Sequence, residues 1–133
     1  MKEKGSKSVL VIAPHPDDES LGCGGTLLRH KRDGDEIHWL IITGMSSGQG
    51  FSSEKISVRQ AEIAEVDKSY GFKSTFELGF PPAQLDILPM GDVISAISKV
   101  VNDIRPDTVY TAYRNDAHTD HQVVFDAVMA ATK

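Results

Sequence analysis

Apolar positions in this chain fall into two alternating patterns. Short continuous runs rich in β-branched residues occur at 8–13 (SVLVIA) and 36–43 (EIHWLIIT), with weaker runs at 74–78 and 107–113. Continuous runs of this length predict strands buried on both faces. Between them lie stretches of helical periodicity. The first, at 21–32, stops near Asp33-Gly34. The second, at 54–70, carries Ile56, Ala61, Ile63, Ala64 and Val66 and ends at Gly71. The third, at 91–104, is amphipathic through Val93, Ile94, Ile97, Val100, Val101 and Ile104, and stops at Arg105-Pro106. A fourth covers 121–132. Residues 44–53 are polar and glycine-rich and predict a loop, either a substrate lid or a plain connection.

Strand–helix alternation four times over predicts an α/β fold with a mostly parallel sheet covered on both faces. Right-handed crossovers leave few topologies. The Rossmann-like order 3-2-1-4, in three αβα layers, makes strands 1 and 4 neighbours with the switch point between them. The chain has 133 residues, enough for one domain with one core. No repeat and no second domain is visible.

Charge is ordinary, with 14 Lys and Arg against 19 Asp and Glu, net −5, and no basic run, so nucleic acid is not an expected partner. No apolar segment is long enough to span a membrane. The polar start of the chain and the short 9–13 run do not form a signal-peptide core. A single cysteine, Cys23, rules out an intrachain disulfide. These features together predict a soluble cytoplasmic protein.

The chemistry concentrates in two clusters, each directly after a strand. Ala13-Pro14-His15-Pro16-Asp17-Asp18-Glu19 follows strand 1, and His118-Thr119-Asp120-His121 follows strand 4. The predicted topology puts both in one crevice. If Pro16 opens the helix at its first turn, His15 and Asp18 converge on one point. His121, from across the switch point, completes three N/O ligands with a fourth position open, the pattern of a catalytic zinc site. Asp17 projects differently and can take a proton from an attacking water. His118 can stabilise the oxyanion and protonate a leaving amine. The competing reading makes the acidic residues 17–19, with Thr119 and Asp120, helix caps and dipole partners.

Other features carry less. The glycines at 22–25 lack the third glycine of a dinucleotide fingerprint and any GK[ST] ending, so close helix–sheet packing is expected there. Cys23 reads as a small buried residue, Trp39 as core, and His30 and His38 as surface histidines without an acidic neighbour at ligand spacing.

The two clusters together resemble the LmbE-like, PIG-L-type zinc-dependent N-deacetylases, through the AxHPDDE and HxDH motifs. Thr43-Gly44, and Arg59 with Glu62, are also similar to the family. The resemblance implies one zinc per chain held by His15, Asp18 and His121, with Asp17 as general base. His118 would stabilise the oxyanion and Asp120 would orient a neighbouring histidine. It implies removal of an acetyl group from an N-acetylglucosamine-type sugar in a lipid-linked, glycan or small-molecule conjugate. Arg59 would touch substrate, or pair structurally with Glu62. The family's acid after strand 3 has no direct counterpart in Pro81-Pro82-Ala83-Gln84-Leu85-Asp86, and Asp86 is the candidate to replace it.

Family domains continue past the HxDH helix, so residues 1–133 are expected to be the N-terminal part of such a domain, with the C-terminal part of the fold absent. An open sheet edge makes homo-oligomerisation an expectation. Two further readings stand beside the deacetylase: a non-catalytic metal-binding remnant of the family, and a phospho-acceptor signalling domain. The second leaves His15, His118 and His121 unused and lacks an acceptor Asp after strand 3.

Overall fold

The computed structural model describes residues 5–133; the first four residues of the polar N-terminus lie outside them. Four strands, β1 (Ser8–Ala13), β2 (Glu36–Thr43), β3 (Ser74–Phe80) and β4 (Thr108–Tyr110), form one parallel sheet in the order β3-β2-β1-β4. Four helices follow them in turn: α1 (Asp18–Arg32), α2 (Ser53–Tyr70), α3 (Met90–Ile104) and α4 (Thr119–Ala131). The order and the alternation are those expected from the hydrophobic pattern.

Strand alternation sorts the core into two halves. Val9, Val11, Ala13, Ile37, Trp39 and Ile41 face one way and pack with Leu27 of α1 and Ile63 of α2. Leu10, Ile12, Leu40 and Ile42 face the other way and meet Val93, Ile97 and Val100 of α3, with Val124, Ala127 and Val128 of α4. β1 and β2 are buried along almost their full length, which is why their sequences read as unbroken apolar runs. Helices α1 and α4, which carry the two motifs, therefore start on opposite faces of the sheet at its C-terminal edge, with β1 and β4 side by side.

Several expectations are corrected. Helix α1 begins at Asp18, not Leu21, because the acidic residues form its first turn, and Pro16 lies in the turn before the helix. Inside α1, Cys23 departs from helical geometry (φ −147°) and kinks it among the glycines. Those glycines do not bring the helix against the sheet. A Cβ at Gly24 would stand 2.8 Å from the Tyr70 hydroxyl of α2, whereas Gly22 and Gly25 face open space. The close approach is helix to helix, at one position. Cys23 is half-buried, while Trp39 is fully buried as expected.

β3 runs on to Phe80 through a bulge: Ile41 pairs with Glu77 but Thr43 with Phe80, and Gly79 takes φ 73°. β4 is shorter than expected, since its pairing with β1 ends at Tyr110 opposite Val11. Helix α4 starts at Thr119 because His118 caps it, its Nδ1 accepting the Asp120 N–H at 3.1 Å. His30 and His38 are not free surface groups. His30 joins Asp35 (2.6 Å) and the Tyr110 hydroxyl (2.8 Å), and His38 is buried against Ser74 Oγ. No described helix is long and apolar enough to cross a membrane.

Candidate metal centre

The segment after β1 is fixed before any side chain of the site is placed. Thr43, at the end of the neighbouring strand, donates to the Pro14 carbonyl through its backbone N–H (3.1 Å) and its hydroxyl (2.7 Å). His15 follows immediately. Its backbone N–H donates to Asp18 Oδ2 at 2.9 Å, closing the turn that leads into α1. The same Asp18 oxygen lies 3.4 Å from His15 Nδ1 and 3.1 Å from His121 Nε2. One carboxylate oxygen and two imidazole nitrogens thus converge from both sides of the β1–β4 junction, all within 4.8 Å of one another.

The outward nitrogen of each imidazole is also committed. His15 Nε2 lies 2.8 Å from Asp120 Oδ2, and His121 Nδ1 lies 3.0 Å from Asp116 Oδ2. A carboxylate on the far nitrogen fixes a histidine's tautomer and leaves the near nitrogen unprotonated, the state a metal needs. Two independent carboxylate–histidine pairs aimed at one point suit a divalent ion with three protein ligands and an open position. A second group, His15, His118 and Asp120, is equally close in space. It does not suit an ion. Asp120 is fully buried and already accepts from His15, from the Ala83 N–H (2.6 Å) and from the Leu85 N–H (3.3 Å), while His118 Nδ1 caps α4. That group is a closed hydrogen-bond hub.

The charges follow this arrangement. Hydrogen bonding to Asp18, helped by Asp120, raises the His15 pKa against the opposing effect of burial. Burial works against ionised Asp18, but the side-chain and backbone hydrogen bonds from His15 and the charge of His121 together hold its pKa below the usual value. Asp17 moves the other way: partial desolvation and the neighbouring Asp18 raise it, opposed by His15, Arg59 and His121. Two adjacent carboxylates are pushed apart, one toward permanent ionisation and one toward proton exchange.

Asp17 also has a strained backbone, φ 136°, a conformation that favours glycine. Its N–H donates to Glu19 Oε2 at 2.9 Å, and Glu19 is itself buried. The strain is held by that contact and by the helix start, since Ser20 and Leu21 donate to the Asp17 carbonyl.

A cleft of about 530 Å³ opens over these groups. His15, Asp17, Asp18, His118, His121 and Arg59 all line it. The three imidazoles stand close together, His15 and His118 with ring centres 4.7 Å apart, and His118 and His121 at 5.1 Å. Arg59, on α2, lies 3.8 Å from Glu62 through an Nε that is buried without a hydrogen bond. Asp120 sits beneath the cleft rather than in its wall. Asp86 is apart: it lies exposed on the 3-10 turn Leu85–Ile87 and does not line the cleft, where the acid contributed by β3 is Glu77. Met45 and Phe51 bring the 44–53 loop, which contains a 3-10 turn at Ser47–Gln49, onto the cleft wall.

Sequence reasoning missed three residues. Asp116 has a spacing signal, five positions before His121, that is visible only once the α4 start is known. Glu19 reads in the sequence as one of a capping trio, and nothing there marks it as the group that holds Asp17. Glu77 sits inside a weak strand and does face solvent, and nothing in the sequence shows that the cleft opens beside it.

Comparison with known proteins bears on the whole arrangement. Residues 10–132 match the family described as PIG-L: GlcNAc-PI de-N-acetylase. The "Uncharacterized deacetylase YaiS" of Escherichia coli K12 is 33% identical over 96% of this chain and 69% of its own length. The "Probable N-acetyl-alpha-D-glucosaminyl L-malate deacetylase 2" of Bacillus anthracis is 26% identical over 96% of this chain and 60% of its own length. Among solved structures, the N,N'-diacetylchitobiose deacetylase of Pyrococcus horikoshii superposes with a TM-score of 0.79, at 25% identity, over 96% of this chain and 49% of its own. The chain thus spans about half to two-thirds of the length of the proteins it matches.

Proposed function

The chain belongs to the PIG-L family of de-N-acetylases, and from that premise we propose that it is a zinc-dependent hydrolase that removes the acetyl group from an N-acetylglucosamine-type sugar. The observation that carries the reading is the pair of carboxylate-backed imidazoles, His15 with Asp120 and His121 with Asp116, converging on the ionised Asp18. His15 Nδ1, Asp18 Oδ2 and His121 Nε2 are the proposed ligands. Zinc, when bound, supplies Lewis acidity: it acidifies water and polarises a carbonyl oxygen.

The remaining steps belong to side chains. Asp17, raised toward neutrality by desolvation and by Asp18, accepts the proton of the attacking water. Its strained backbone, held by Glu19, keeps the carboxylate over the cleft rather than folded into the helix cap. His118 faces the same space and is proposed to meet the oxyanion as the acyl carbon becomes tetrahedral. His118 Nε2 then gives a proton to the departing amine and regains one from Asp17, and acetate and the free amino sugar leave. Arg59 is proposed to contact the sugar, since its guanidinium lines the cleft beside Asp17. Asp86 does not line the cleft, and the proposal omits it.

The test is acetate release from N-acetylglucosamine conjugates by the zinc-loaded chain, with and without Asp17→Asn. Release that falls by about 10²- to 10⁴-fold in the variant, with zinc content unchanged, is the expected result. Release at the wild-type rate from the variant would refute the role given to Asp17. Zinc binding without release from any N-acetyl sugar would favour a metal-binding remnant.

A further inference from the structure

β3 sends its side chains alternately to two places. Phe76, Leu78 and Phe80 pack with the core under α3 and α4. Thr75 and Glu77 turn toward α2, where Thr75 donates to Asp67 (2.7 Å) and Glu77 Oε1 accepts from Gln60 Nε2 (3.1 Å). The next position toward the cleft is Gly79, at the bulge, which has no side chain and approaches Gly44. Glu77 is therefore the last side chain that β3 offers to the cleft.

The acids of the cleft differ in what balances them. Asp18 and Asp116 each meet an imidazole, and Asp17 lies in the field of Arg59 and two histidines. Glu77, exposed at the rim of the cleft, meets only the neutral Gln60 amide among the described residues. The amide orients one oxygen and leaves the other to accept from whatever enters. A carboxylate placed this way accepts strong hydrogen bonds from hydroxyl groups and repels carboxylates and phosphates.

We infer that Glu77, oriented by Gln60, is a specificity-determining residue that makes the cleft select conjugates whose second group is neutral and hydroxyl-bearing over those whose second group is anionic. The inference rests on the cleft being the sugar site proposed above. Arg59 lines the same cleft but is common to the parent and both Glu77 variants, so it does not enter the comparison between them.

The experiment measures binding, so that it does not depend on turnover. Dissociation constants for N,N'-diacetylchitobiose (neutral) and N-acetylglucosaminyl malate (anionic) are measured by calorimetry on the zinc-loaded chain, in an Asp17→Asn background that stops hydrolysis. Glu77→Gln and Glu77→Lys are then compared with Glu77. The neutral ligand is expected to bind more tightly to the parent. The preference should shift toward the anionic ligand by about three- to fivefold in Glu77→Gln, the size of one solvent-screened unit-charge interaction at close range, and further in Glu77→Lys.

A preference that moves by less than about twofold in both variants, with unchanged melting temperature, would overturn the inference. So would tighter binding of the anionic ligand by the parent, or no binding of either. If the preference shifts as expected in the Glu77 variants but the chain with Asp17 intact releases no acetate from either ligand, the deacetylase reading fails and the selectivity of Glu77 stands.

Discussion

Asp120 is the most informative residue to remove, because one fully buried carboxylate serves both the fold and the proposed metal site. It accepts from the Ala83 N–H at 2.6 Å, from His15 Nε2 at 2.8 Å and from the Leu85 N–H at 3.3 Å. Hydrogen bonds to a charged acceptor contribute about 1.5–3 kcal/mol each. The three do not add, since the Leu85 bond is long and the His15 ring can turn toward water. Asp120→Ala should therefore lower the stability of the metal-free protein by about 3–5 kcal/mol, the range seen when one side of a buried charged pair is deleted. Asp120→Asn should cost less, about 1–3 kcal/mol. Its amide oxygen can replace Oδ2 and keep His15 and Ala83, but its NH₂ then faces the Leu85 N–H. Asp120→Ala frees the His15 tautomer, so its zinc affinity should fall about 10- to 100-fold, whereas Asp120→Asn keeps an acceptor on His15 Nε2 and should lose less. Urea unfolding of the metal-free chain measures the first effect and chelator competition the second. Metal-free stability within about 0.5 kcal/mol of wild type in Asp120→Ala would refute the hub. Unchanged zinc affinity in both variants would refute the claim that Asp120 acts through His15 as a ligand.

Three further outcomes follow from other contacts. Asp116→Ala removes the partner of His121 Nδ1 at the more exposed end of the site; chelator competition should show zinc held about tenfold more weakly, with stability little changed. Burial lowers the His38 pKa, so the unfolded chain binds a proton that the folded chain refuses. Stability should then rise with pH across the interval from the lowered folded value to the ordinary value of 6.5, by at most about 1.4 kcal/mol per pH unit. His38→Gln should flatten that slope in urea titrations between pH 5 and 7, and an unaltered slope would sink the assignment. Gly24→Ala should lower stability by about 1 kcal/mol, because the new methyl meets the Tyr70 hydroxyl at 2.8 Å. Gly25→Ala, facing open space in the same helix, should be neutral or stabilising in the same melts.

The architecture was legible where burial is two-sided. β1 and β2 are covered on both faces, so their residues are apolar without interruption and their bounds could be read directly. β4 and β3 lie at the edges, where partial exposure admits Thr, Tyr and Glu, and there the pattern does not mark the strand ends. Helix starts are obscured for a different reason. Both motif helices are opened by residues that also belong to the site, Asp17 before α1 and His118 before α4. A side chain that caps and a side chain that reacts look alike in sequence, and only the φ of 136° at Asp17 separates the two uses there.

That strain argues for the order in which the site was built. A residue at φ 136° costs roughly 1–3 kcal/mol unless glycine occupies it. If residues 17–19 were only a cap, Asp17 would accept a backbone N–H of the first turn, yet it makes no side-chain cap bond. Glu19 reaches back to the Asp17 N–H instead, and burying its carboxylate raises its own pKa, a second cost at the same turn. Two unfavourable features side by side leave the Asp17 carboxylate free, beside Asp18 and facing the imidazoles. A capping role gains nothing from that arrangement. A general base does, because it needs an uncommitted carboxylate with a raised pKa.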